Sequence, residues 1–385
     1  MSEIAMEKRR LPVGTITLAV LAAIGFIVGM IRFVMGLGAT TNLTDFYPWG
    51  LWLGFDVVSG VALGSGAFTM AAVVYIFNLK KYKPIVRPAI LTGFIGYLLV
   101  IMGLLADLGQ PHRIWHLFIY QNWHSVLFEV GACVVFYTTV MLLELLPMVF
   151  ERFGKQDAWL PKTIHKFTIP LVIAGITLST MHQNSLGALF LIMPDKLHPL
   201  WYSALLPVFF YISAIGLGLA MVILESSLSA KAFKRGLEID ILSSLAKAIP
   251  YVLGLYLVLK LGDLVVAGEL WRMFEGSARS NMFLVELVIQ VILPLVLFSL
   301  PKVRKSPSGL LWGSVLVVVG TIINRINVSL IGPEMPPGIA HLPTPSYAPN
   351  LIEFALTIGL ISGGVLLFTL ASRYLPVFPE VEETH

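Results

Sequence analysis

The stretch GTITLAVLAAIGFIVGMIRFVMG, residues 14–36, decides the fold class, because its only charged side chain is Arg32. A helix needs about 20 mainly apolar residues to cross a bilayer. The rest of the chain has the same character: 57% of the 385 residues are hydrophobic, 12% are charged, and the mean hydropathy is +0.85. In a soluble domain about a quarter of the residues are charged. The sequence therefore predicts an all-α, polytopic membrane protein.

Nine further stretches have the length and composition of a membrane span. With the first stretch, the ten predicted helices cover residues 14–36, 51–78, 88–106, 125–150, 167–188, 200–225, 245–268, 281–300, 309–331 and 350–372. No segment long enough for an extramembrane domain is left between them. We therefore predict a single integral membrane domain over residues 1–385, set in membrane lipid.

Lysine and arginine are unevenly distributed between alternate loops. With the N-terminus in the cytoplasm, nineteen of the 26 basic residues lie in inner segments and four, Arg113, Lys196, Arg272 and Arg279, in outer segments. Cytoplasmic loops are normally the more basic ones. The count predicts that both termini are cytoplasmic and that Lys8, Arg9 and Arg10 precede a retained first helix. The positive charges thus indicate topology, and no nucleic-acid partner is predicted.

Ionisable side chains occur inside the predicted spans, where each costs at least about 2.5 kcal/mol at the helix centre. Those near the outer ends are Arg32, Asp56, Asp107, Glu129, Lys260, Asp263, Glu286, Arg325 and Glu353, while Glu144 and Glu225 lie near the inner ends and Tyr97 lies between. Several could simply pair and hold the bundle together, as Lys260 and Asp263 would on one helical face. Glu129 and Glu225 have no sequence-local cation, which favours a functional role.

Six of the eight histidines fall on the outer side, among loops rich in tryptophan and tyrosine. An interfacial aromatic belt explains the tryptophans, whereas a quinone site would also require the protonatable groups.

No histidine lies near the middle of a predicted helix, so we predict no haem. Cys133 is the only cysteine, which excludes an iron–sulfur cluster held by this chain alone. His112 and His116 have the spacing of a metal pair but no third ligand, so no metal is predicted.

Without haem or cluster ligands, the chain would meet an electron carrier at one face and handle protons. Carboxylates and phenols can relay protons in a medium of low dielectric constant. The sequence therefore suggests a proton route that includes Tyr97, Glu129, Glu144 and Glu225.

Several separated motifs resemble one known family. They are YPWGLWLGFD (47–56), YIFNLKKYKPIVRPA (75–89), SVLFE (125–129), TMHQ (180–183) and HPLW (198–201). The chain is similar to the HybB-type membrane subunits of nickel-iron hydrogenase 2, which belong to the NrfD/PsrC family of quinone-interacting anchors. The resemblance spans nearly the whole chain and is strongest up to residue 230.

The resemblance implies a ten-helix anchor in the bacterial inner membrane, which passes electrons between a periplasmic ferredoxin-like iron–sulfur subunit and menaquinone or ubiquinone. The large and small nickel-iron hydrogenase subunits would complete the complex. In such proteins the residues matching Glu129, Glu225 and Tyr97 are implicated in proton movement. We assign the quinone pocket to Asp56, His112, Arg113, His182 and Gln183, because they combine family motifs with an outer location.

Two alternatives remain open at this stage. The first is an anchor for a molybdenum reductase that acts on polysulfide or tetrathionate. The second is a secondary transporter with broken helices at the bilayer midplane; Gly60, Gly64 and Gly66 in the second predicted helix offer a weak signal of this kind.

Overall fold

The computed structural model describes residues 13–45, 47–192, 196–334 and 347–378. Within these ranges the regular structure is helical, and one isolated β-bridge joins Leu197 and Pro333. Nine helices are long and apolar enough to cross a membrane; the pair Trp159–Lys166 and Thr168–Ile192, bent by 65°, makes ten if counted as one span. The predicted all-α membrane fold is confirmed. Lys8, Arg9, Arg10 and His341 lie outside the described residues.

We number the spans in chain order. They are α1 (Val13–Met35), α2 (Trp52–Ile76), α3 (Lys80–Asp107), α4 (Val126–Arg152), α5 (Thr168–Ile192), α6 (Leu206–Phe233), α7 (Ile239–Val266), α8 (Ala278–Ser299), α9 (Pro307–Ile331) and α10 (Leu351–Tyr374). Alternate loops lie at the same end of the bundle. We call the end with loops 77–79, 153–167, 234–238 and 300–306 the basic end, because most lysines and arginines flank these loops, and the opposite end the aromatic end.

The spans form two groups of four. Helices α2 to α5 pack in one group and α6 to α9 in the other, and α6 joins the groups through contacts with α2 and α5. Helix α1 packs chiefly on α10, which in turn packs on α3. The first group contains Tyr97, Glu144, His182 and Gln183 among the polar residues that the sequence singles out.

Small residues allow the closest helix crossings. A methyl group built on Gly25 of α1 would lie 2.5 Å from Cα of Gly359 in α10, and one built on Gly66 of α2 would lie 3.2 Å from the carbonyl oxygen of Gly218 in α6. In a membrane, where lipid is as apolar as the side chains, such close backbone packing is a main source of helix association.

Helix α2 is not a regular α-helix. Two π-helical segments, Trp52–Ser59 and Ala72–Ile76, lie on either side of a turn at Gly64 and Ser65. A methyl group on Gly64 would lie 2.9 Å from ring atoms of Tyr97, and the Ser65 hydroxyl donates to the carbonyl of Ala214 at 2.7 Å. The break therefore coincides with close packing against α3 and α6, and π-helical segments often accompany functional sites.

Several helix ends differ from the sequence prediction: α3 begins at Lys80 instead of residue 88, α6 at Leu206 instead of residue 200, and α7 at Ile239 instead of residue 245. Helix α6 continues to Phe233 instead of ending at residue 225, and the hydroxyls of Ser227 and Ser229 donate to carbonyls within the helix. Helix α5 continues to Ile192 instead of residue 188. Glu225 and His182 consequently lie well inside the bundle, so the prediction that Glu225 ends its helix is wrong.

Candidate functional site

A tyrosine–histidine pair lies at the centre of the first helix group. The hydroxyl of Tyr97 on α3 shares a hydrogen bond of 3.0 Å with Nδ1 of His182 on α5, and both side chains are 0% exposed. The ring of Tyr137 on α4 meets the Tyr97 ring edge-on, with centroids 4.7 Å apart. Three helices thus bring three groups that can exchange protons to mid-depth. The sequence argument that no histidine lies near the middle of a span does not hold for His182.

Several polar atoms around this pair have no hydrogen-bond partner among the described residues. They are Nε2 of His182 and Oε1 of Gln183, together with the hydroxyls of Tyr137 and Ser179, which lie near each other but not in good hydrogen-bond geometry. The amide of Gln183 is fixed at its other end, where Nε2 donates to the carbonyl of Val61 at 3.1 Å. Buried polar groups are nearly always paired. This concentration of unpaired atoms therefore indicates a site for a polar ligand, for water, or for protons in transit.

Protonatable side chains follow one face of α4. Glu129, Cys133 and Tyr137 are spaced four residues apart, and Glu144 follows seven residues later, a spacing that keeps them on one side of a helix. The face covers about 22 Å at 1.5 Å per residue. Glu129 lies partly exposed in the first turn, at the aromatic end, and Glu144 lies towards the basic end. The arrangement spans most of the distance between the two ends of the bundle.

At the basic end of this face lies a cavity of about 340 Å³, which we call the Glu144 cavity. Its walls come from α2, α3, α4, α5 and the short helix Trp159–Lys166. Polar or charged lining residues are Tyr75, Lys83, Arg87, Glu144, His165 and Thr168. A cavity of this size and polarity can hold several water molecules.

A second opening, which we call the Glu225 groove, lies between α3, α6 and α10. Its volume is about 320 Å³, and its lining is mainly apolar, with Thr92, Glu225, Ser229 and Thr369 as polar members. Glu225 is 7% exposed, and neither carboxylate oxygen has a partner in the described structure. A gap of about 10 Å³ lined by Glu225, Thr92 and Gly64 extends inward to the glycine that touches the Tyr97 ring. Such a gap is about the size that one water requires.

The five residues assigned to the quinone pocket fall into three places. His182 and Gln183 lie beside Tyr97, whereas Asp56 on α2 accepts a hydrogen bond of 2.6 Å from Thr357 on α10. His112 and Arg113 form an exposed helical turn, Pro111–Arg113, at the aromatic end. No hydrogen bond or ion pair between described residues links these three places. The structure therefore places His182 and Gln183 beside each other. Asp56, and separately His112 with Arg113, lie away from these two residues.

Other ionisable residues in the spans have structural partners. Arg32 donates to the carbonyls of Ala106 and Leu108 at the end of α3, at 2.7 and 2.6 Å. Glu286 accepts from Trp201, Asn324 and Asn327, at 3.0, 2.7 and 2.7 Å.

The suggested pairing of Lys260 with Asp263 is not seen among the described contacts. Asp263 accepts from Ser203 at 2.8 Å, while the Lys260 ammonium lies 5.0 and 5.7 Å from the ring centroids of Phe209 and Phe283. These residues hold the second helix group together by hydrogen bonds and cation–π contacts.

The aromatic end combines a closed cap with an exposed aromatic surface. Tyr347 donates to Glu353 at 2.5 Å and accepts from the backbone N–H of Leu51 at 2.8 Å, and burial together with that carboxylate raises the pKa of the phenol. In the loop between α3 and α4, Trp115, Tyr120 and Trp123 are 50%, 68% and 75% exposed. Exposed aromatic side chains in this position fit the interfacial belt predicted from the sequence and also suit a contact surface.

No group of three or more histidine, cysteine, aspartate or glutamate side chains suited to a metal ion occurs in the ranges that the structure describes. His112 and His116 lie on separate short helices. Sequence reasoning missed Tyr137 and Ser179. The only sequence signal for Tyr137 is its spacing of eight residues from Glu129 on the same helical face.

Comparison with known proteins gives a consistent family match. The model of the family described as polysulphide reductase, NrfD, matches residues 39–333. An Escherichia coli protein named probable Ni/Fe-hydrogenase 2 b-type cytochrome subunit is 32% identical over 358 residues, covering 91% of this chain and 89% of that protein. Two proteins of Nitratidesulfovibrio vulgaris also match. One, named simply a protein, is 37% identical over 97% of each chain; the other, a menaquinone reductase integral membrane subunit, is 30% identical over 90% and 87%.

Proposed function

Because this chain belongs to the NrfD family of membrane subunits, we propose that it is the quinone-reactive, haem-free anchor of a periplasm-facing nickel-iron hydrogenase complex. Two electrons from a partner iron–sulfur subunit and two protons would convert each quinone to quinol. The observation that carries the proposal is the buried Tyr97–His182 pair, which is surrounded by unpaired polar atoms.

The polar atoms beside Tyr97 are suited to binding a quinone or a quinol. Nε2 of His182 and Oε1 of Gln183 are buried without partners on adjacent residues, and a quinone or quinol offers the carbonyl and hydroxyl groups that complement them. A hydrogen-bonded imidazole and phenol are suitable proton donors to a carbonyl oxygen. Asp56, His112 and Arg113 would then act nearer the aromatic end, along the approach of the carrier and the partner.

The partner would dock at the aromatic end. The exposed residues Trp115, Tyr120 and Trp123 supply an aromatic contact surface there, and the excess of positive charge at the opposite end favours a cytoplasmic location for that end. The aromatic end would then face the periplasm, on the same side as a ferredoxin-like iron–sulfur subunit and the hydrogenase subunits. The names of the Escherichia coli and menaquinone reductase relatives support a hydrogenase complex and a quinone, respectively.

Protons would reach the pair through the bundle. Glu225 faces the gap that ends at Gly64, against the Tyr97 ring, and we propose that it passes protons from the basic end to Tyr97. Glu129 and Glu144 lie at the two ends of the α4 face that carries Tyr137. Carboxyl groups enclosed in this way are typical members of proton relays in membrane proteins.

The substitution Tyr97→Phe tests the function. In a complex purified through a tag on this chain, we expect it to slow hydrogen-driven quinone reduction by about 100-fold, the lower range for a lost general acid. Reduction of a soluble dye by hydrogen should be unchanged. Tyr211→Phe is the control, because Tyr211 is a partly buried α6 tyrosine with no side-chain hydrogen bond among the described contacts.

Equal loss of both activities would show an assembly defect, and full quinone reduction by Tyr97→Phe would refute the role of the pair. Mass spectrometry of the purified complex decides the partner. Recovery of a molybdenum reductase would favour the alternative anchor. Recovery of the chain without any iron–sulfur protein would contradict both.

A further inference from the structure

The Glu144 cavity is a polar opening of about 340 Å³ at the basic end, and the function proposed above assigns it no role. We propose that it is a water-filled inlet that takes protons from the aqueous phase at the basic end and delivers them, through Glu144 and Tyr137, to the Tyr97–His182 pair. This inference rests on the proposed function, since it names a source of protons for the same site.

The lining of the cavity fits water better than a lipid. Its volume of about 340 Å³ far exceeds the 10–15 Å³ that one water needs. Groups that titrate or carry charge face it from four of its five walls: Tyr75 from α2, Lys83 and Arg87 from α3, Glu144 from α4, and His165 from the short helix before α5. The α5 wall supplies Thr168, Leu171 and Val172. His165 is exposed at the surface.

A phospholipid phosphate is the other ligand that lysine and arginine suggest. Arg87, however, is already engaged by Glu151 at 2.8 Å and by the carbonyl of Pro376 at 3.0 Å. Glu144 adds a carboxylate to the same cavity, which would repel a phosphate. The charges that remain therefore favour water and protons as the occupants.

Helix α4 links the cavity to the buried pair. Glu144 and Tyr137 are seven residues apart on one face, a rise of about 10 Å, and Tyr137 is in edge contact with Tyr97 at 4.7 Å. The Tyr137 hydroxyl is buried beside Ser179 and the backbone of Phe68, and it makes no hydrogen bond of good geometry with a described residue. A phenol in that state can accept a proton from a water molecule on one side and donate its own on the other.

The Glu144 cavity and the Glu225 groove are separate. They share no lining residue, and α3 lies between them, with Val86 and Ile90 facing the first and Thr92 and Gly96 facing the second. Both nevertheless lead towards Tyr97, one by way of Tyr137 and the other by way of Gly64. The bundle therefore has two inlets for one buried acceptor.

Cysteine labelling tests whether the cavity holds water. In a Cys133→Ser background, which has no other cysteine, Leu171→Cys places a thiol in the cavity wall, and Ile173→Cys places one on the 51% exposed outer face of the same helix. Phe153→Cys, in an exposed loop, identifies the vesicles in which the basic end is accessible. A membrane-impermeant thiol reagent should label Leu171→Cys in those vesicles at least about tenfold faster than Ile173→Cys, because only hydrated thiols ionise readily.

Two results would refute the proposal that the cavity is a water-filled inlet at the basic end. One is labelling of Leu171→Cys no faster than Ile173→Cys, and the other is labelling of Leu171→Cys by reagent added at the aromatic end. A cavity filled with lipid would give the first result. The measurement needs no electron transfer, so its failure leaves the proposed function standing, and failure of the Tyr97→Phe test leaves the hydration of the cavity standing.

Kinetics test whether the inlet delivers protons. If the two inlets act in parallel, Glu144→Gln and Glu225→Gln should each lower quinone reduction by less than about tenfold, and the double variant by about 100-fold or more. Dye reduction by the complex should stay constant in all three. A double variant no slower than Glu225→Gln alone would contradict the delivery of protons through Glu144.

Discussion

At the scale of the single residue, Arg32 shows how a charge can be buried in a membrane span for a structural purpose. Its guanidinium donates to Ala106 and Leu108, whose carbonyls lie at the end of α3, and the side chain is 1% exposed. The last carbonyls of a helix have no partner within the helix and carry partial negative charge. Arg32 thus fixes the end of α3 to α1 without requiring a carboxylate.

Replacing Arg32 with methionine should destabilise the protein. The substitution leaves the buried carbonyl of Ala106, worth about 1–3 kcal/mol, and the partly buried carbonyl of Leu108 without a donor. We therefore expect a clear fall in the thermal unfolding midpoint in detergent. Lys155→Gln is the control, because Lys155 is exposed in the loop after α4. Equal midpoints for the two variants would show that the arginine contributes little to stability.

The sequence identified Tyr97, Glu144 and Glu225 because ionisable or phenolic groups in apolar spans require an explanation. It missed Tyr137, since a tyrosine in a span is usually core or belt. It also placed His182 at a helix end, because the polar run His182–Ser185 resembles a terminus. Only the packing of α3, α4 and α5 shows that these side chains meet.

At the scale of the element, the ten spans followed from hydropathy alone, whereas their ends and crossings did not. Hydropathy averages over a window and cannot detect a helix that continues through Ser226–Ser229. A hydropathy average also carries no information on the spacing of glycines. Gly25 and Gly29 on α1, and Gly359 and Gly363 on α10, are pairs four residues apart, which is the pattern that permits close helix contact.

Replacing Gly25 with valine should destabilise the packing of α1 against α10. A valine there would collide with the backbone at Gly359, and overpacking of this kind costs about 1–3 kcal/mol. Gly29→Ala is the matched control, because a methyl group on Gly29 would lie 3.8 Å from Leu356, an ordinary contact. Thermal unfolding should separate the two variants, and a stable Gly25→Val protein would show that the crossing is adaptable.

At the scale of the whole molecule, the polar groups of the first helix group connect two ends of unlike character. The aromatic end presents Trp115 and Trp123 to the surroundings, and the basic end contains the Glu144 cavity. A carrier at the buried Tyr97–His182 pair that receives electrons from one end and protons from the other would couple its reduction to charge movement across the membrane. The direction of that coupling depends on orientation, which the distribution of basic residues predicts.

Single cysteines test the orientation in a Cys133→Ser background. Trp123→Cys and Phe153→Cys lie in loops at opposite ends, where the native side chains are 75% and 71% exposed. We expect an impermeant thiol reagent added to spheroplasts to label Trp123→Cys and to spare Phe153→Cys until the membrane is opened. The reverse pattern would place the aromatic end in the cytoplasm and overturn the proposed partner side.

The pairing of α1 with α10 has a consequence for biosynthesis. Helix α1 is synthesised well before its main partner α10, so α1 stays in the bilayer, with most of its surface against lipid, until α10 has been made. The long apolar sequence of α1 allows it to remain in contact with lipid during that interval. If translation terminated after α9, the released chain would contain the helices of both groups but would lack α10. Helix α3 would then be uncovered on its α10 side, and the end of the Glu225 groove would be open to lipid.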